Sequence, residues 1–202
     1  MTTDSDRTIE AFFDARVGLF EAFTPDEMAR VQACLRAWDI RPGMSVLEPG
    51  CGSGRLTGLL ADAVGPAGEV WAFDLSGEMI RRAQARGLPP HVRFYRGSAA
   101  EVPAGDGRFD RVVCCCVFPH FLEPAPILAE LVRVLKPGGR LIVQHLETRE
   151  AMNAFHRTTA ANSPHRDLPA DDAMRRLLAE AGLVDIVVGD ADGAYRAGGR
   201  KS

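Results

Sequence analysis

Residues 46–54 of the chain read VLEPGCGSG, and this stretch decides the fold. A short apolar run ends in the carboxylate of Glu48, and glycines follow at positions 50, 52 and 54. Glycine adopts positive φ and has no Cβ, so this run predicts a tight turn that another molecule can approach closely. The helix expected next presents unpaired N–H groups at its N-terminus, which favour a carboxylate or a phosphate. The pattern therefore predicts a strand, a glycine loop and a helix around a nucleotide-type cofactor.

Size and composition limit the function classes. The chain has 202 residues, 46% of them hydrophobic and 25% charged, with a net charge of -3. These values are typical of one globular domain and give no electrostatic footprint for nucleic acid. The N-terminus has no secretory pattern, and the longest apolar run, 112–118, is too short to span a bilayer. Five cysteines, three of them adjacent, do not resemble a disulfide framework. We expect a cytoplasmic protein with unpaired thiols, no nucleic-acid partner and no membrane span.

From Met44 onward, predicted strands alternate with predicted helices. Strands are predicted at 44–48, 69–74, 92–95, 109–117, 139–145, 183–188 and 194–196. Helices are predicted at 8–20, from a capping box at 24–27, and at 54–63, 77–86, 127–135, 148–158 and 170–181. This order predicts an α/β fold: a doubly wound, mostly parallel seven-stranded sheet with helices on both faces. A turn signal at 190–193 predicts a C-terminal antiparallel hairpin.

Four motifs occur in a fixed order between residues 44 and 145. They are the glycine loop, VWAFD at 70–74, FDRVV at 109–113 with FPHF at 118–121, and VLKPGGRL at 134–141. With these motifs the chain resembles the class I, Rossmann-like S-adenosylmethionine-dependent methyltransferases, specifically their menaquinone/ubiquinone-methyltransferase-like small-molecule group. The resemblance implies a Rossmann-like methyltransferase fold, S-adenosyl-L-methionine as cofactor, S-adenosyl-L-homocysteine as product and a small-molecule acceptor.

The resemblance also implies how one domain, 1–202, is organised. An N-terminal helical cap would cover 1–40, and the cofactor-binding core would cover 44–145. Acceptor-side helices and the terminal hairpin would cover 146–202. No sequence feature marks a boundary between separate domains.

The glycine loop is the first implied part of the cofactor site. In the resembling methyltransferases, the backbone of this loop, here Gly50, Cys51, Gly52 and Gly54, holds the methionine part of the cofactor. Glu48 would lie close to the ammonium group of that part. The alternative for Glu48 is a carboxylate at a strand end that accepts backbone N–H bonds from the loop.

Asp74 ends the second predicted strand, twenty residues beyond the last loop glycine. A carboxylate there can accept hydrogen bonds from both ribose hydroxyls of a nucleoside. The alternative is an N-cap for the following helix, although Ser76 is better placed for that. Leu75 and Met79 would then be apolar walls beside the adenine, or simply pack their helix onto the sheet.

The adenine side departs from the usual family pattern. Ser98 stands where relatives usually carry an aspartate that accepts from the adenine amino group, and backbone contact from Ala99 would compensate. The resemblance also implies that the Cys114 carbonyl faces the methionine end of the cofactor. Three adjacent cysteines could instead form a soft-metal or metalloid site, or be small buried residues of a central strand. Strand alternation puts Cys114 and Cys116 on one face and Cys115 on the other.

His120 and His145 are the acid/base candidates. Both follow directly on central strands, where doubly wound folds place their sites. Histidine titrates near neutral pH and can take a proton from an attacking group. The alternative for each is a packed, hydrogen-bonded histidine. A metal site that adds His156 lacks clear ligand spacing, so we expect no metal.

The sequence favours methyl transfer to a small molecule over two alternatives. In-line displacement from a sulfonium needs orientation and exclusion of water, so it does not require a dedicated catalytic motif. A nicotinamide-dependent oxidoreductase would need its third glycine at position 55, where Arg55 stands. A non-catalytic, S-adenosylmethionine-binding regulatory protein stays possible, since the loop and its acids indicate binding alone. The acceptor, the methylated atom and the oligomeric state stay open.

Overall fold

The structure is a computed structural model that describes residues 4–158 and 164–202. Residues 1–3 of the predicted cap and 159–163 of the predicted acceptor-side segment lie outside this range. The chain forms two compact units, which divide between Ser98 and Ala99. The single-domain organisation therefore stays a prediction.

The first unit contains a parallel three-stranded arrangement with helices. Its helices are α1 (Asp4–Asp14), α2 (Pro25–Ala37), α3 (Arg55–Val64) and α4 (Gly77–Gln84), with a 3-10 turn at Val17–Phe20. Its strands are β1 (Ser45–Pro49), β2 (Glu69–Asp74) and β3 (Val92–Arg96). Strand β2 lies between β1 and β3 and pairs with both in parallel. This arrangement brings the carboxyl ends of β1 and β2 to one edge, where the glycine loop follows β1.

Local sequence explains where the N-terminal helices begin and end. The predicted capping box is confirmed: the Thr24 hydroxyl accepts from the Glu27 N–H, and the Glu27 carboxylate accepts from the Thr24 N–H. The single predicted helix over 8–20 is wrong, because α1 begins at Asp4 and ends at Asp14. Val17 and Gly18 have low helix propensity, which is consistent with the tighter 3-10 turn there.

The second unit carries the mixed part of the fold. Its strands are β4 (Phe109–Cys115), β5 (Leu135–Gln144), β6 (Leu183–Ala191) and β7 (Ala194–Lys201). Its helices are α5 (Pro124–Arg133), α6 (Arg149–Thr158) and α7 (Asp171–Glu180), with a 3-10 turn at Phe118–His120. Strands β4 and β5 are parallel, and β7 pairs antiparallel with both β5 and β6. The predicted C-terminal antiparallel hairpin, formed by β6 and β7, is confirmed. Strand β7 lies between β5 and β6 and is therefore not an edge strand.

Several boundaries in this unit differ from the prediction, and strands β6 and β7 are longer than predicted, since they end at Ala191 and Lys201. Helix α5 begins at Pro124, three residues early, because proline suits the first helical turn. Strand β5 begins at Leu135, and its pairing with β4 contains a register shift between Phe109 and Arg111. Strand β4 ends at Cys115 rather than at position 117. Within residues 4–158 and 164–202, no helix has both the length and the apolar character needed to cross a bilayer.

Candidate functional site

The glycine loop is fixed by backbone hydrogen bonds in the first unit. The Cys51 N–H donates to the Phe73 carbonyl at 3.0 Å, and the Gly54 N–H donates to the Cys51 carbonyl at 3.0 Å. Gly54 has φ of 80°, and a Cβ there would lie 3.1 Å from the Cβ of Ala83 in α4. Glycine is therefore required at position 54 both by the left-handed backbone and by the close approach of α4.

Asp74 is held by two backbone donors. Its Oδ2 accepts from the Gly52 N–H at 2.9 Å, and its Oδ1 accepts from the Ser76 N–H at 2.9 Å. Desolvation raises the pKa of Asp74 to about 6, although both N–H bonds oppose this and the nearby Asp14 adds to it. The carboxyl that sequence analysis selected is therefore aimed at the glycine loop and fixed in orientation.

Ser76, not Asp74, caps α4. The Ser76 hydroxyl accepts from the Met79 N–H at 3.0 Å, and it also hydrogen-bonds to the Asp14 carboxylate of α1. Asp14 accepts in addition from the Glu78 N–H at 3.2 Å. Sequence reasoning missed Asp14, because nothing local to α1 indicates that its end lies against the start of α4.

Glu48 is 3% exposed at the end of β1. Its carboxyl accepts from the Thr57 hydroxyl of α3 at 2.6 Å, so its partner is a side chain rather than the loop N–H groups considered above. Burial raises the pKa of Glu48 to about 8, the Thr57 bond opposes this, and the charge of Asp74 adds to it. Burial, Glu48 and Asp74 also raise the pKa of the Cys51 thiol well above its usual value. The carboxyl groups of Glu48 and Asp74 thus both lie beside the glycine loop.

Glu48 predicts a measurable pH dependence of stability. Its pKa rises from 4.5 in the unfolded chain to about 8 in the fold, so its contribution is favourable at low pH and is lost as pH rises through 8. We expect the free energy of unfolding of the wild type, minus that of Glu48→Gln, to fall between pH 6.5 and 8. The slope limit for one proton is about 1.4 kcal/mol per pH unit. Urea denaturation at several pH values measures it, and parallel curves for both proteins would contradict the assignment.

The residues predicted on the adenine side lie on different segments of the chain. Met79 is buried at the start of α4, and its Sδ would lie 4.0 Å from a Cβ placed on Gly52. Leu75 is half-buried, and its carbonyl accepts from the Arg96 guanidinium at 3.2 Å. Ser98 follows β3 and is half-buried, whereas Ala99 is buried and begins the second unit. The first unit thus brings Met79 to the loop.

The three cysteines have different environments. Cys114 is buried in β4, Cys115 is half-buried at its end, and Cys116 is exposed beyond it. Cys116 has φ of 56°, so the predicted strand alternation does not extend to it. Its N–H donates to the Gln144 carbonyl at 2.8 Å. Desolvation raises the pKa of Cys114, which therefore stays a neutral thiol as a small buried strand residue does.

The histidines gather in the second unit. His145 directly follows β5 and is fully buried, and His120 ends the 3-10 turn after β4. His120 Nδ1 lies 2.9 Å from the Pro164 carbonyl, and its ring centre lies 5.6 Å from that of His156. The His165 ring stacks on His156 at 4.7 Å. Burial, reinforced by the neighbouring histidines, lowers the pKa of His120 to about 4. The rings of this cluster are therefore packed together rather than spread along an open cleft.

In the part of the chain that the structure describes, no group of three or more His, Cys, Asp or Glu side chains is arranged to hold a metal ion. This finding applies to the histidine cluster and to the cysteines alike.

Comparison with known proteins finds one matching family. The family described as methyltransferase domain matches residues 47–143, which include the glycine loop, Asp74 and all or most of each parallel strand from β1 to β5. Through these residues the chain is similar to the methyltransferase-domain family. The methyltransferase domain therefore spans parts of both compact units.

Two known proteins are similar to part of this chain. The chain is 37% identical over 120 residues to a demethylmenaquinone methyltransferase of Bacillus cytotoxicus, covering 57% of this chain and 49% of that one. It is 38% identical over 139 residues to an uncharacterized 37.1 kDa protein in transposon TN4556 of Streptomyces fradiae, covering 62% and 40%. The chain thus spans less than half the length of these two relatives.

A solved structure extends the fold comparison to nearly the whole chain. A SAM-dependent methyltransferase from Aquifex aeolicus matches with a TM-score of 0.74 at 21% identity, covering 94% of this chain and 98% of that one. The methyltransferase fold predicted from the motifs, a Rossmann-like α/β fold with seven strands and an antiparallel C-terminal hairpin, is confirmed.

Proposed function

We propose that the chain binds S-adenosyl-L-methionine at the glycine loop of its first unit and transfers the methyl group to a small-molecule acceptor. The observation that carries this proposal is the pair of acids beside the loop: Asp74 accepts from the Gly52 N–H at 2.9 Å, and Glu48 is 3% exposed at the end of β1. A cation in the loop would stabilise both carboxylates. A pyrophosphate would instead add negative charge next to them, which disfavours a nicotinamide dinucleotide.

Asp74 is the proposed ribose ligand. The Gly52 and Ser76 N–H groups occupy one acceptor position on each carboxylate oxygen. A carboxylate oxygen accepts more than one hydrogen bond, so each still has capacity for a ribose hydroxyl. The same N–H groups fix the plane of the carboxylate, which reduces the entropy lost when the sugar binds.

The remaining cofactor roles follow the family resemblance. Glu48, held by Thr57, would lie near the ammonium group, and the backbone of the loop from Gly50 to Gly54 would hold the methionine chain. Leu75 and Met79 would face the adenine, with Ser98 and Ala99 as its polar contacts. The role of the Cys114 carbonyl stays a prediction.

When bound, S-adenosylmethionine supplies an electrophilic methyl group on a sulfonium. What this chain contributes is orientation: Asp74 and Glu48 fix the two ends of the cofactor, and the loop backbone aligns the chain between them. The proton released by the acceptor needs a base only if the acceptor is not already ionised.

His120 and His145 are the proposed bases, and their surroundings limit what each can do. A histidine with a pKa of about 4, as at His120, is neutral at pH 7 but drives proton transfer weakly. His145 is fully buried, so it would act only on a group that reaches it. Acceptors that ionise readily, such as phenols and hydroquinones, therefore suit this protein best.

We also propose a cytoplasmic location and no nucleic-acid partner, supported by five cysteines outside any disulfide and a net charge of -3.

The proposal predicts a ligand-specific rise in thermal stability. A ligand at 100 times its Kd adds about 2.7 kcal/mol to the free energy of unfolding. For a chain of this length the melting temperature should rise by about 5–10 °C. We expect this rise with S-adenosylhomocysteine and none with NAD. An equal rise with NAD alone would overturn the cofactor assignment.

Activity is tested separately with labelled S-adenosylmethionine and a panel of phenols, hydroquinones and a small-metabolite extract. Label in an extracted product supports methyl transfer. Binding of S-adenosylhomocysteine without transfer to any acceptor would support the non-catalytic, regulatory alternative.

A further inference from the structure

The end of β4 places two thiols side by side. The sulfur atoms of Cys115 and Cys116 are 4.0 Å apart, and Cys116 is exposed. Cys116 adopts φ of 56°, a conformation that non-glycine residues rarely take and that concentrates at functional sites. Its N–H bond to the Gln144 carbonyl at 2.8 Å ties this backbone to the end of β5. The pair is therefore held in place rather than carried on a loose loop.

His145 is the second observation at this place. Its side chain is fully buried, and neither ring nitrogen has a partner with full hydrogen-bond geometry among the described residues. Its backbone N–H donates to the Tyr195 carbonyl at 2.9 Å, which fixes the residue against β7. Buried polar groups are normally hydrogen-bonded, so a buried imidazole without such a bond is open to interaction with an adjacent polar group. The nearby Cys116 thiol is the group with which this ring interacts.

Cys116 differs electrostatically from the other cysteines that show a shift. A hydrogen bond from Cys115, the His145 ring and the Leu146 N–H together lower the pKa of Cys116 well below its usual value. Burial raises the pKa of Cys51 and Cys114 instead. The titratable groups that face Cys116 are thus Cys115 and His145, and His145 in turn interacts with His120 and His156.

We propose that Cys116 is a reactive thiolate modified by peroxide and that Cys115 is the thiol that resolves the product. The Cys116 sulfur attacks one oxygen of hydrogen peroxide, the O–O bond breaks, and hydroxide leaves and takes up a proton as water. Cys116 is thereby oxidised to a sulfenic acid. The Cys115 sulfur then attacks the Cys116 sulfur, the S–O bond breaks and a second water leaves. One peroxide is reduced to two waters while two thiols become one disulfide.

The geometry makes this disulfide reversible. Adjacent Cα atoms across a trans peptide are about 3.8 Å apart, which is shorter than the usual span across a disulfide of about 4.4–6.8 Å. A strained bridge is more readily reduced by other thiols than a relaxed one.

Alkylation of the reduced full chain measures the first half of the proposal. Iodoacetamide at pH 6.5, followed by peptide mass spectrometry, should label Cys116 at least about tenfold faster than Cys34, since the thiolate is the nucleophile. Cys34 is half-buried in α2 and is the internal control. In His145→Gln the Cys116 rate should fall while the Cys34 rate stays constant. Equal rates at the two cysteines in the wild type would overturn the proposal.

Peroxide tests the second half. With one equivalent of hydrogen peroxide the wild type should lose 2 Da, at a peptide that contains both Cys115 and Cys116, and dithiothreitol should reverse the loss. Cys115→Ser should instead form a sulfenic acid at Cys116 that dimedone traps. Stepwise oxygen addition at Cys116 in the wild type, without the 2 Da loss, would show that Cys115 does not resolve it and would overturn that role. Neither readout depends on methyl transfer, so the outcome is independent of the proposed function.

Discussion

Replacing Asp74 by alanine is expected to lower the affinity for S-adenosylhomocysteine by about 100-fold or more. Each hydrogen bond to a charged group contributes about 1.5–3 kcal/mol, and the proposed ribose contact has two of them. A loss of about 3 kcal/mol corresponds to a factor of more than 100 in Kd. Isothermal titration calorimetry with the wild type and Asp74→Ala measures the change directly.

Two further variants separate binding from folding. Asp74 also accepts from the Gly52 and Ser76 N–H groups, so its removal perturbs the loop. Asp74→Asn keeps an acceptor oxygen but loses the charge, and an intermediate affinity is expected. Asp62→Ala removes an exposed carboxylate of α3 and should leave the affinity unchanged. Wild-type affinity in Asp74→Ala would remove Asp74 from the site.

Gly198→Ala is expected to destabilise the second unit by about 3–5 kcal/mol. Gly198 lies inside β7, pairs with Ile142 of β5 and Val187 of β6, and has φ of 154°. A Cβ there would lie 2.1 Å from the carbonyl oxygen of Leu141, a backbone atom of the neighbouring strand. Backbone strain and overpacking each cost about 1–3 kcal/mol, and paired strands cannot move apart to relieve them. The melting temperature should fall by about 10 °C.

Gly105→Ala is the matched control in the same unit. A Cβ at Gly105 would meet no atom within 4 Å, so its melting temperature should stay within about 2 °C of the wild type. A similar fall in both variants would mean that the loss is general to Gly→Ala changes in this unit. An unchanged melting temperature in Gly198→Ala would contradict the close approach of β5 and β7.

Much of the fold could be predicted because local signals determine it. The capping box at Thr24 acts through neighbours in sequence, and the glycines after β1 and the acid at the end of β2 belong to short motifs that the sequence shows directly. The turn at Asp192 and Gly193 likewise has positive φ at both residues, which is the backbone that a two-residue hairpin turn requires. Local patterns of this kind form the predicted structure with little dependence on distant residues.

The parts that sequence reasoning missed depend on contacts between distant elements. Thr57 reaches Glu48 only because α3 folds back beside β1, and Asp14 reaches Ser76 across more than sixty positions. The left-handed backbone of Cys116 is set by the Gln144 carbonyl, on a strand that comes later in the chain. No local pattern encodes these partners. The position of Thr57 in the helix after the loop could nevertheless have indicated that its hydroxyl faces inward.

The position of β7 has a consequence for biosynthesis. Strands β5 and β6 are made first, yet they do not pair with each other, because β7 separates them. As the ribosome synthesises the chain, both leave unsatisfied edges until residues 194–201 emerge, and nascent edges of this kind attract other chains. Translation speed through the codons for residues 183–201 therefore governs how long the nascent protein is vulnerable to aggregation.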